Sequence, residues 1–133
     1  MYLVCLNEDE KELFLGMAYH LATSDGEYGE EEKSAIAGYC QEMQCTFDAS
    51  GVKPFEELVG RVNAISEDKG KRIITFELVG LAIADGIYGD DEQELMLTLE
   101  KSFGLEEGFV EECENVLFEY ISFQQKLNEF ILG

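Results

Sequence analysis

Residues 81–96 read LAIADGIYGDDEQELM, and residues 21–36 read LATSDGEYGEEEKSAI. Leu, Ala, Asp, Gly, Tyr, Gly and the closing Glu coincide at a constant offset of sixty, from Leu21 and Leu81 to Glu32 and Glu92. The two residues before that Glu are acidic in both copies. Self-similarity at a fixed register marks a repeated supersecondary unit. Apolar residues at helical spacing flank each copy, so the unit is a helix, a turn and a second helix.

Working outward, Asn7 suits an N-cap with Glu10 at the third helical position, followed by an apolar face of Leu13, Phe14, Met17, Ala18 and Leu21. Ile36, Tyr39, Cys40 and Met43 make the stripe after the first turn. In the second copy Ser66 is the candidate N-cap, and Ile73 to Ala84 is apolar almost all round, which places that helix at the centre. Leu95, Met96, Leu99 and Phe103 follow on one stripe, and Gly104 ends it. Pro54 opens a short helix bearing Phe55, Leu58, Val59 and Val62, after the long loop QCTFDASGVKP. Beyond Gly104, Phe109, Cys113, Val116, Leu117 and Tyr120 form a stripe that Phe123, Leu127 and Phe130 continue, on one helix or two.

The expectation is all-α, about seven helices, in a single domain over 1–133. Two pseudo-twofold-related helix-turn-helix repeats, at about 8–44 and 66–104, pack as one bundle with C-terminal helices at about 106–132.

The formal charge of the chain is -20, from 29 acidic and 9 basic residues. That excludes a nucleic-acid binder, which needs a basic footprint, and disfavours anionic membranes. It favours a divalent cation or a basic protein as partner. Four cysteines without a Cys-x-x-Cys pair, and one histidine, His20, argue against zinc. No stretch is long enough to span a bilayer, and MYLVCL lacks the length and basic flank of a signal peptide. These features predict a cytoplasmic protein with reduced, mostly buried thiols.

Three readings of the repeated motif compete. In the first, Gly26 and Gly86 end one helix in the left-handed conformation, Gly29 and Gly89 cap the next, and Glu32 and Glu92 reach back to the caps from the third position. Acids in that first turn are favoured by the helix dipole. The second is an EF-hand, with Asp25, Gly26 and Glu32 at loop positions five, six and twelve. It fails because positions one and three are Leu21 and Thr23, or Leu81 and Ile83. The third is another carboxylate site. Asp25 with Glu32, and Asp85 with Glu92, flank one short turn each, and hard oxygen donors suit Ca2+ or Mg2+. Capping leaves Asp25 and Asp85 least explained, because an Asp at a helix C-terminus opposes the dipole.

An apolar helix ending in Ala-x-Ala-Asp-Gly, then a turn, acids and a Glu, resembles the TerB-like tellurite-resistance family. LAIADGIYGDDEQELM is the nearer copy, and ISEDKGKRIITFELVG and LEKSFGLEEGFVEE are similar to that family's flanks. LATSDGEYGEEEKSAI departs in having Ser24 for the usual Ala, and both turns carry tyrosine where aliphatics are commoner. The resemblance, over roughly 8 to 120, implies an internally symmetric helical bacterial protein with a stress-response role. It also implies an acidic site for divalent metal, carried here by Asp25, Glu32, Asp85 and Glu92. A non-enzymatic domain is expected: no Ser-His-Asp or Cys-His arrangement can be argued around the single His20, and no Gly-rich phosphate loop is present. The alternatives are an interaction module whose motif only caps helices, and a metal-assisted hydrolase.

Overall fold

The computed structural model describes residues 1–24, 26, 28–84 and 88–133. Among them six α-helices form and no strand does: α1 (Glu8–Ala22), α2 (Glu30–Met43), α3 (Phe55–Ile65), α4 (Asp68–Ala84), α5 (Asp90–Ser102) and α6 (Phe109–Leu132). Single 3-10 turns occupy Leu3–Cys5 and Ala49–Gly51. About seven helices are expected from the sequence. Six are found, and residues 109–132, free of Gly and Pro, run as one.

The N-terminus of α1 is fixed by the box its sequence predicts. Asn7 Oδ1 accepts the Glu10 N–H at 2.8 Å, and Glu10 Oε1 accepts the Asn7 N–H at 3.0 Å. Leu13, Phe14, Met17, Ala18 and Leu21 all turn inward from this helix. α1 packs on α2, α3 and α4, while α4 packs on α1, α5 and α6. The two helices that precede the motifs therefore form the centre, and Ile74, Leu78, Val79 and Ala82 of α4 are fully buried there. Met96, Leu99 and Phe103 of α5 and Leu58 and Val62 of α3 complete the core. Gly104, with φ 69°, follows α5 in the left-handed region.

Ser66 does not cap α4. Its backbone is extended (φ -97°, ψ 142°) and closes α3, and the first bond of α4 runs from the Lys71 N–H to the Glu67 carbonyl. The Ser66 hydroxyl instead donates to Glu10 Oε2 at 2.7 Å. Glu10 thus joins α1 to the α3–α4 corner, which explains Gly70: a Cβ there would lie 2.1 Å from Glu10 Oε2. A side chain there would push the Glu10 carboxylate away from Asn7 and Ser66.

Among the described residues three carboxylates are buried, and each accepts backbone N–H groups, as buried charge requires. Besides Glu10, Glu100 of α5 accepts from Val110 at 2.7 Å and Gly108 at 3.4 Å, two N–H groups that the start of α6 leaves unpaired. Glu77 of α4 accepts from the Tyr2 N–H at 2.7 Å and the terminal ammonium at 2.8 Å. Burial opposes the charge on that ammonium, but hydrogen bonding and attraction from Glu77 outweigh it and hold the amine above its ordinary value. The thiols are less buried than their sequence context suggests. Only Cys113 is buried; Cys40 and Cys45 are half-buried, Cys5 is exposed, and all are free.

α6 divides in two. Val110, Cys113 and Leu117 pack on the body, whereas every residue from Phe118 onward is exposed. No helix among the described residues is long and apolar enough to cross a membrane.

Candidate functional site

The two acidic turns open α2 and α5 with one backbone geometry. Gly29 has φ -82° and ψ -174°, and Gly89 has φ -83° and ψ 175°, the extended conformation of an N-cap. Glu30, Glu31 and Glu32 fill the first turn of α2; Asp90, Asp91 and Glu92 fill that of α5. Exposure follows the same order through 28–38 and 88–98. In both, the third acid is half-buried, and the single fully buried position is Ile36 or Met96. Gly26 has φ 91°, in the left-handed region its place before the turn predicts, and its N–H bonds the Thr23 carbonyl at 2.8 Å.

Of the four candidate ligands, Glu32 and Glu92 are placed at the third helical position of α2 and α5. Asp25 and Asp85 lie outside the described residues, as does Gly86. Glu32 folds back over its own N-cap, with Oε2 3.0 Å from where a Cβ of Gly29 would stand. At Gly89 a Cβ would meet nothing within 4 Å among the described residues. Also among the described residues, no group of three or more His, Cys, Asp and Glu side chains converges as a metal-binding cluster.

The surroundings of the two turns differ. Tyr28 stacks edge-on against Tyr19 with centroids 5.0 Å apart, and Lys33 lies 5.7 Å over its ring. Tyr19 in turn meets Phe47 at 5.7 Å. Burial, then the Tyr19 and Cys40 side chains, push the Tyr28 phenol up. Tyr88 instead donates its hydroxyl to Glu114 Oε1 at 2.8 Å. Burial first, then that bond and the nearby Glu114 and Glu92 charges, push its phenol far above the usual value. Cys113, which shares Glu114 with Tyr88, is pushed up to about 12 by burial and by Glu112, Glu114 and Glu100, so the thiol holds its proton and is a poor nucleophile.

His20 Nε2 lies 2.7 Å from the Lys53 carbonyl, and its ring stands edge-on to Phe55 at 5.9 Å. A carbonyl only accepts, so Nε2 carries the proton and ties α1 to the segment entering α3. A depression of about 1000 Å³ lies between α1, α3 and residues 44–53; neither Glu32 nor Glu92 lines it.

Sequence reasoning missed Glu77, Glu100 and Glu114 as structural acceptors. The signal for two of them is present. Glu77 is the single acid in the apolar run from Ile73 to Ala84, and Glu100 interrupts the stripe of Met96, Leu99 and Phe103. An acid on an apolar face must find donors. Glu114 carries no such mark, because its partner is twenty-six residues away.

Comparison with known protein families, curated proteins and solved structures yields no match.

Proposed function

We propose that this is a non-enzymatic, TerB-like acidic helical domain whose two turns each hold a divalent cation weakly, Asp25 with Glu32 and Asp85 with Glu92. In this reading the halves of the bundle are related by a pseudo-twofold. The observation that carries it is the repeated motif on a chain of charge -20, with matching N-cap geometry at Gly29 and Gly89. Ca2+ or Mg2+ suits the oxygen donors, with water and backbone carbonyls completing the shell. The third-position glutamate also serves its helix start, so a cation competes with the cap for it and the affinity is low. A cytoplasmic stress-response setting in a bacterium belongs to the same proposal and rests on the resemblance alone.

Calorimetry with Ca2+ and Mg2+ tests the reading. Heat of binding is expected for the wild type and is lost in Asp25→Asn with Asp85→Asn. Silence up to millimolar metal removes the cation. The second reading, a protein-interaction module whose motif only caps helices, is favoured by the position of Glu32 over Gly29. It predicts that the same double substitution leaves capture of a basic partner intact, and that rising salt releases that partner.

A further inference from the structure

The exposed half of α6 has a pattern that the acidic turns do not explain. Phe109, Cys113, Val116, Tyr120, Phe123, Leu127 and Phe130 follow one another at alternating spacings of four and three. That is the heptad repeat of a coiled-coil seam, sustained for three heptads. Its first members rest on the body. From Val116 on the seam is bare: Val116 is 55% exposed, Phe123 59% and Phe130 85%.

We infer that this face pairs with the same face of a second copy, as an antiparallel two-helix coiled coil. Charge selects both the occupant and the direction. From Phe118 to Gly133 the only charged side chains are Glu119, Lys126 and Glu129, so this arm is nearly neutral on a chain of charge -20. Two copies meet there with the least repulsion. A parallel pair would set the two acidic bodies side by side, whereas an antiparallel pair sends them to opposite ends. Glu119 and Lys126 both occupy the flank just before a seam position. In the antiparallel register that sets Tyr120 against Phe123, Glu119 of each copy faces Lys126 of the other, twice by symmetry. In the parallel arrangement Glu119 faces Gln124 and Lys126 faces Ile131, and no ion pair forms.

The area suffices. Tyr120, Phe123 and Phe130 keep 43%, 59% and 85% of their surface exposed, on the order of 100–150 Å² each. In this register Leu127 meets Val116, and Phe130, whose seam counterpart is Cys113, closes against the other copy's body, so two copies bury the ~1,000 Å² that a specific interface requires.

Sedimentation equilibrium of the full chain in the tens of micromolar is expected to give twice the 15.0 kDa chain mass. Phe123→Glu with Leu127→Glu is expected to give a monomer whose core still unfolds cooperatively. Lys126→Glu is expected to weaken the pair ~tenfold or more, and adding Glu119→Lys to that variant to restore it. A monomeric wild type overturns the inference, whether the arm then binds lipid vesicles or nothing. So does a dimer that survives Phe123→Glu with Leu127→Glu. A dimer indifferent to Lys126→Glu overturns the antiparallel direction.

Discussion

The two acidic turns share their N-cap backbone, at Gly29 and Gly89, and differ in what they touch. Tyr28 ends in a cluster of rings with Tyr19 and Phe47, while Tyr88 ends on the Glu114 carboxylate of α6. Position 40 in the first copy is a half-buried thiol; its counterpart sixty residues later, Glu100, is a buried carboxylate that caps α6. The comparison separates two kinds of information. The start of each helix is set locally, by a glycine and three acids, and so it repeats. The surroundings are set by whichever later segment packs on top, the 44–53 segment in one case and α6 in the other, and so they diverge.

The comparison breaks most sharply where the copies meet. Glu10 and Gly70 are also sixty residues apart, and they touch. Gly70→Ala pushes the Glu10 carboxylate off the Asn7 N–H and the Ser66 hydroxyl and is expected to destabilise the fold by about 2 kcal/mol, net of the helix propensity that alanine adds, read as a lowered urea midpoint. Glu100→Ala uncaps α6 and leaves buried N–H groups unpaired; a loss of about 2 kcal/mol is expected, with faster amide exchange at Val110. Cys40→Ala, the matching change in the first copy, should cost about 1 kcal/mol or less, since a half-buried thiol makes no such bonds.

Tyr88→Phe is expected to cost about 1 kcal/mol, discounted for the part exposure of the ring, and Tyr28→Phe less than about half of that. Both phenols are raised by folding, so both changes should alter the pH dependence, Tyr88→Phe the more strongly. Folding raises the Tyr88 phenol above its ordinary value, so its contribution is fully present below the unfolded phenol pKa of about 10 and is lost as pH rises toward the folded one. Urea midpoints of wild type and Tyr88→Phe should therefore converge in alkali. The smallest effect is expected from Glu32→Ala, about 0.5 kcal/mol, which removes a carboxylate lying over its own cap.

Much of this fold is legible in the sequence for the reason the turns are alike. The Asn7–Glu10 box, the inward stripe of α1, the burial of α4 and the stop at Gly104 depend on residues within a turn or two of one another. What the sequence hides depends on distant partners. Ser66 has the chemistry of an N-cap, yet its hydroxyl goes to Glu10, fifty-six residues back. The stripe of α6 has the same period throughout, and nothing in that period marks Leu117 as the last residue to find a core. Of the candidate site, the cap glycines and first-turn acids were readable; Tyr88 joined to Glu114 was not.

The first residues of the chain have a bearing on how it is made. Leu3 is fully buried, the Tyr2 N–H bonds Glu77 seventy-five residues away, and the Tyr2 ring lies edge-on to Phe76 at 6.2 Å. The Leu3–Cys5 turn rests on α2 as well as on α4, so during synthesis its seat is complete only when α4 has followed α2 out of the ribosome. The N-terminal copy therefore gains its last packing late in synthesis, when the second copy closes on it.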